Sequence, residues 1–167
     1  MAEQFLTLLA ELDDDSQKLM SGWYRELQAA GFTGVQTPNL PFHISMATFS
    51  LDQEEEAVRE VQRLGETFSA IPVQISHIGL FAGGRVLFGA PDRTPELTAL
   101  RDAVGIDKKD MFPWTPHVTI LIDEPEVVSD ALRTWIRSFT PFSARITGLR
   151  LCAFWPTREA TRVLLRE

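Results

Sequence analysis

Pro41-Phe42-His43-Ile44-Ser45-Met46 and Thr115-Pro116-His117-Val118-Thr119-Ile120 are two short β-type runs built alike: each places histidine, an apolar residue and a hydroxyl just after a proline. Strand side chains alternate, so His43 and Ser45 share one face, His117 and Thr119 share one face, and Ile44 and Val118 turn toward packing. Each run thus presents an imidazole beside a hydroxyl. With 23 Ser and Thr in 167 residues, two such triplets among three histidines arise by chance about one time in twenty. A lone histidine on a strand is commonly structural; the matched pair, 74 positions apart, is the signal.

Working outward, the same succession of elements surrounds each run. Gln4 to Ala10 reads as a strand and about Asp15 to Ala30 as a helix, with Leu19, Trp23, Leu27 and Ala30 on one face and Gly31 at the left-handed stop. After the strand Phe42 to Phe49, Gln53 to Phe68 is an amphipathic helix with Ala57, Val58, Val61, Leu64 and Phe68 inward and Glu54, Glu55, Glu56 and Glu60 on other faces. Val73 to Leu80 and Arg85 to Gly89 form a strand pair around Phe81-Ala82-Gly83-Gly84. A helix from about Pro95 to Val104, the strand Pro116 to Ile122, a helix Glu126 to Phe139 with Val127, Ala131, Leu132, Trp135 and Ile136 inward, and a strand pair Phe142 to Phe154 and Thr161 to Leu165 complete the chain. In each half a histidine-bearing strand precedes an amphipathic helix and then a strand pair. This predicts an α+β fold over 1–167 as a single bilobal domain: two similar lobes, each an antiparallel sheet with helices on its outer face, and an active cleft between them where the two histidine strands lie side by side.

Composition removes several functions. The apolar fraction of 44% supports a real core, and the net charge of −7 gives no field that attracts long duplex nucleic acid or an anionic membrane. Cys152 is the only cysteine, which excludes an internal disulfide and a thiolate zinc cage and fits a reducing compartment. Met1-Ala2-Glu3-Gln4 lacks a basic leader region, and no apolar run reaches the roughly 18 residues of a membrane span, so a cytoplasmic location is expected; a monomer is expected as well.

Two facing imidazoles suit phosphodiester chemistry: a neutral histidine takes a proton from the nucleophile while a histidinium gives one to the leaving oxygen. Ser45 and Thr119 are placed to hydrogen-bond the non-bridging phosphate oxygens and to stabilise charge as it builds. Two histidines without a third ligand fall short of a catalytic zinc set, so neither metal nor cofactor is expected. Ser45 as the nucleophile of a Ser-His hydrolase lacks the G-x-S-x-G elbow.

With these motifs the chain resembles the 2H phosphoesterase superfamily, the 2′-5′ RNA ligase-like cyclic phosphodiesterases, whose hallmark is two H-x-[S/T]-x motifs on a bilobal α+β scaffold. The likeness spans nearly the whole chain: Pro72 to Gly89, with Ile78-Gly79-Leu80-Phe81 before Arg85-Val86-Leu87-Phe88, is similar to the strand pair that the family places between its motifs. The resemblance implies hydrolysis of a 2′,3′-cyclic or related ribose cyclic phosphate on a nucleotide or a short RNA end, one histidine activating water and the other protonating the leaving ribose oxygen, with His117 favoured as base. Ser45 stands where Thr is commoner, and Leu121 to Asp123 follows the second motif where many relatives carry an arginine, departures that bear on substrate more than on chemistry. A non-catalytic nucleotide sensor on the same scaffold is the alternative. Only the enzyme would lose about 10²- to 10⁴-fold in rate when His43 or His117 becomes Ala.

Further residues flank the motifs. Trp114, Phe42 and Phe81 are candidates to stack on a nucleobase, Trp155 lies at a hairpin tip, and Arg85, Arg150 and Arg158 are candidates to approach a second phosphate. For each of these the ordinary alternative is packing or a solvated surface. His77 has no hydroxyl two residues on and is left out of the catalytic set.

Overall fold

The computed structural model describes residues 4–167, and its elements run β1 (Phe5–Leu12), α1 (Asp14–Ala29), β2 (His43–Ser50), α2 (Glu54–Thr67), β3 (Ile71–Leu80), β4 (Val86–Pro91), α3 (Pro95–Ala103), β5 (Val118–Ile122), α4 (Pro125–Trp135), β6 (Phe142–Phe154) and β7 (Arg158–Leu164). Every ladder is antiparallel, in the order β2-β1-β6-β3-β4-β5 with β7 also on β6. The expected α+β class with antiparallel sheets is what the chain adopts.

β6 explains how one sheet serves two lobes. Its first residues, Phe142 to Ile146, pair with β3, and the stretch from Ile146 to Phe154 pairs with β1, with β7 on the opposite side along Gly148 to Ala153. One lobe is therefore β2-β1-β6-β7 and the other β5-β4-β3 with the start of β6. The halves read from the sequence do not coincide with these lobes: the strand pair after His43 builds the sheet under His117, and the pair after His117 builds, with β1, the sheet under His43. Of the helices, α2 stays with the lobe of the strand it follows and α1 crosses to the other. α2 packs on β6, β7 and β2, while α1 packs on α4, β5 and β6. Trp23 of α1 meets Trp135 at 5.8 Å, Phe139 at 5.2 Å and Phe142 at 5.6 Å between ring centroids, an aromatic cluster that fixes α1 to α4. Fully buried side chains such as Leu6, Leu8, Ile44, Met46 and Leu64 each contribute about 1.5–3 kcal/mol to this core.

Local readings hold with corrections. Asp13 caps α1 by accepting from Ser16 N at 2.9 Å, and Gly31 ends it at φ +96°. α4 stops at Trp135 instead of Phe139, which turns Ile136 outward at 62% exposure, and Val128, not Val127, is the buried valine of its first turns. Glu60, off the apolar face of α2, is nonetheless buried because Arg63 and the Gly105 N–H both bind its carboxylate. β7 begins at Arg158, ahead of the expected Thr161. Among the described residues no helix is long and apolar enough to cross a membrane.

Candidate active site

β2 opens at His43, and β5 opens one residue after His117. Along both runs the expected alternation is observed: His43, Ser45, His117 and Thr119 are half-buried, and Ile44, Met46, Val118 and Ile120 are buried. The two strands end the sheet order on opposite sides, yet they lie against each other with no ladder between them. The Trp114 indole N–H, from the loop before β5, reaches across to donate to Ser45 O at 2.9 Å.

The imidazoles are set by the same device. Nδ1 of His43 lies 2.7 Å from Pro41 O, and Nδ1 of His117 lies 2.8 Å from Thr115 O. A carbonyl can only accept, so each Nδ1 carries a proton and donates it; each Nε2 is left to take or give one. The outer edges of the strands are closed alike. Lys109 N donates to Thr48 O at 2.7 Å while Thr48 N donates to Asp110 Oδ1 at 2.9 Å, and Val35 N donates to Ile122 O at 2.7 Å while Ile122 N donates to Gln36 Oε1 at 3.0 Å. Each pair is the other displaced by 74 positions. The loop before one histidine thus satisfies the edge of the other histidine's strand.

The surroundings of the two rings differ. Glu11, 4% exposed, is the ladder partner of His43; its carboxylate accepts from Arg150 Nε and from Arg162 at 2.8–3.1 Å, and Arg150 also pairs with Glu159 at 3.0 Å. Gly148, opposite Glu11 on β6, leaves that carboxylate room, since a Cβ there would stand 3.0 Å from Glu11 Oε2. His117 instead faces hydrocarbon. Phe81 and Phe88 meet its ring edge-on, with centroids at 4.7 and 5.5 Å, and Gly79 lets the Phe88 ring lie across β3, where a Cβ would collide with it.

These settings tune both imidazoles in one direction. Burial lowers His43 below its ordinary 6.5; the Pro41 carbonyl and Glu11 oppose this, and the charges of His117 and Arg150 add to it. Burial also lowers His117, against the Thr115 carbonyl. Burial alone would raise Glu11, but the Arg162 and Arg150 hydrogen bonds hold it below its usual value.

The remaining sequence candidates fall in different places. Phe42 packs against the core, and its backbone is held on both sides by the Gln17 amide, at 2.8 and 2.7 Å. Trp114 is half-buried with the guanidiniums of Arg93 and Arg101 at 5.3 and 5.6 Å from its ring. Phe81 lies on His117, Arg85 is engaged by Glu124 on the surface, and His77 is exposed on β3 beside Ser76. Glu11, Phe88 and Gln17 were missed; the one signal for Glu11 is a carboxylate inside the apolar run Leu8-Leu9-Ala10-Glu11-Leu12. Among the described residues no three His, Cys, Asp or Glu side chains converge as a metal ion would need.

The family model described as the 2′-5′ RNA ligase superfamily matches residues 14–154. The fold is similar to crystal structures of Escherichia coli LigT, complexed with 3′-AMP at TM-score 0.63 and 18% identity over 98% of this chain and 99% of that one, and complexed with phosphate at 0.63 and 19% over 98% of each. It is also similar to a structure described as a phosphoesterase, at TM-score 0.59 and 17% identity over 99% of both chains. A search among curated proteins found no match.

Proposed function

The chain belongs to the 2′-5′ RNA ligase superfamily, and from that premise we propose that it is a cytoplasmic, monomeric phosphodiesterase that hydrolyses a 2′,3′-cyclic or related ribose cyclic phosphate on a nucleotide or short RNA end, without a metal. The observation that carries this reading is the repeated clamp on Nδ1 of His43 and His117, which leaves two Nε2 atoms on strands that touch. LigT has been crystallised with 3′-AMP and with phosphate, and a nucleoside monophosphate is the class of ligand we extend to this cleft.

Nε2 of neutral His117 takes a proton from water as the water oxygen bonds to phosphorus; the phosphorus–oxygen bond to one ribose hydroxyl position breaks, and Nε2–H of His43 protonates that leaving oxygen. Glu11 favours the imidazolium at His43, whereas Phe81 and Phe88 offer His117 no negative charge, which supports this division of roles. Ser45 and Thr119 donate to the non-bridging oxygens. The two rings titrate as a pair that holds one proton in the active form.

The test is incubation with the four 2′,3′-cyclic mononucleotides in EDTA, followed by phosphorus NMR, beside the His43→Ala/His117→Ala variant. Conversion by wild type alone is expected. Equal conversion by the double variant overturns the two-histidine mechanism.

A further inference from the structure

Ladder partners share a face, so the register places Ser45, Leu9 and Arg150 in one row across β2, β1 and β6, beside the row of His43, Glu11 and Gly148. Arg150 therefore lies on the same sheet face as the first motif, two strands away, or ~9.6 Å between backbones at the usual strand spacing. Above it opens a cavity of about 350 Å³, bounded by Arg150, Arg158, Glu159, Thr157, the loop Thr37 to Leu40, and Cys152. Leu40 seals its floor against Leu9, Cys152 and Phe154, and the Trp155 indole ties the hairpin to Thr37 at 3.3 Å. Arg150 spends Nε on Glu11 and Nη1 on Glu159; no acceptor among the described residues meets its Nη2. Arg158, bound to Glu54, adds a second guanidinium, and Glu159 is the only carboxylate on the lining. A chain of net charge −7 thus gathers two arginines and the Thr37 and Thr157 hydroxyls around one cavity, on the sheet face that carries the first motif.

We propose that this cavity holds a second phosphate of the substrate, one nucleotide unit from the cyclic phosphate, and so selects substrates that carry one. The proposal deepens the phosphodiesterase reading and rests on it for the identity of the first phosphate. Two sources share the chemistry: the 5′-phosphodiester of an RNA end and the diphosphate of an ADP-ribose-type cyclic phosphate. Of the arginines marked from sequence, Arg150 and Arg158 serve here; Arg85 lies elsewhere, paired with Glu124.

The experiment compares kcat/KM for adenosine 2′,3′-cyclic phosphate, the same compound with a 5′-phosphate, a dinucleotide ending in a cyclic phosphate, and ADP-ribose 1″,2″-cyclic phosphate. A gain of about 10- to 100-fold is expected for a substrate bearing the second phosphate, because hydrogen bonds to charged groups are the strong ones. Arg158→Glu is expected to abolish that gain, bringing the phosphorylated and 5′-unphosphorylated compounds to equal kcat/KM. The dinucleotide and ADP-ribose arms identify the source. No gain, or a gain that survives Arg158→Glu, overturns the proposal. Calorimetric titration of 5′-AMP into the His43→Ala/His117→Ala variant reads the cavity without chemistry. Binding that disappears with Arg158→Glu supports the cavity even where every cyclic substrate resists hydrolysis, an outcome that overturns only the phosphodiesterase reading. Undetectable 5′-AMP binding overturns the cavity even where hydrolysis is seen.

Discussion

Residues 35–48 and 109–122 pass through the same hydrogen bonds 74 positions apart, yet the side chains that close over the two imidazoles share nothing. His43 is backed by a buried carboxylate held by two arginines, His117 by two phenylalanine rings. The supporting glycines differ in both place and load: Gly148 admits Glu11 in the row of His43, and Gly79 admits Phe88 in the row of Thr119. The backbone frame makes the two nitrogens equivalent, and the flanking strands make them unequal. The proposed division into one acid and one base draws on both properties.

The comparison breaks most completely at the rings themselves. His43→Ala and His117→Ala are each expected to lower kcat by about 10²- to 10⁴-fold, and the double variant by less than the product, as groups acting in one proton-transfer step do. Phe88→Ala is expected to cost about 3 kcal/mol in denaturant unfolding, through loss of a buried ring that also frees His117. Glu11→Gln is expected to cost about 2–3 kcal/mol, less than a fully buried pair because Arg162 is half exposed.

The same variant sharpens the comparison in pH. Glu11 is held below its ordinary 4.5 when folded, so its stabilisation is present above that pH and is lost as pH falls through the folded value; the amide of the Glu11→Gln variant does not titrate, so this acid limb disappears. Both histidines lie below 6.5 when folded, so the stability that depends on keeping them neutral is complete above 6.5 and declines as pH falls. The kcat/KM profile is expected to be bell-shaped with both apparent pKa values below 6.5. Losing Glu11 removes a charge that favours protonated His43, so Glu11→Gln moves the His43 limb to lower pH; a limb that stays put denies Glu11 any part in tuning the acid.

Smaller effects separate the supports. Gly79→Ala drives a methyl into the Phe88 ring and is expected to cost about 2 kcal/mol, whereas Gly148→Ala, whose Cβ meets the Glu11 carboxylate at 3.0 Å, is expected to cost less. Weakening a loop clasp by Gln36→Ala is expected to cost about 1 kcal/mol, and Asp110→Ala more because it also strips Arg101 of its carboxylate, read as unequal shifts in the urea midpoint.

Much of this molecule was legible before its structure. Period-2 and period-3.6 patterns located the strands and helices, and the H-x-[S/T] frames put His43 with Ser45 and His117 with Thr119 on one face each, because alternation along a strand is a local property. The departures were of two kinds: α4 lost its last turn, and Glu60 turned inward to meet the Gly105 N–H, 45 residues away in sequence.

The sequence by itself determined the strand and helix types, the paired histidine–hydroxyl frames and the absence of a cysteine framework, since each depends on neighbours a few residues apart. Only the tertiary structure decided that the strand pair after one histidine supports the other, that Glu11 and Phe88 stand beside different rings, and that Arg150 and Arg158 share a cavity. Those relations join residues more than a hundred positions apart in the case of Glu11 and Arg150, and register across β1 and β6, which no local pattern encodes, is what brings them together.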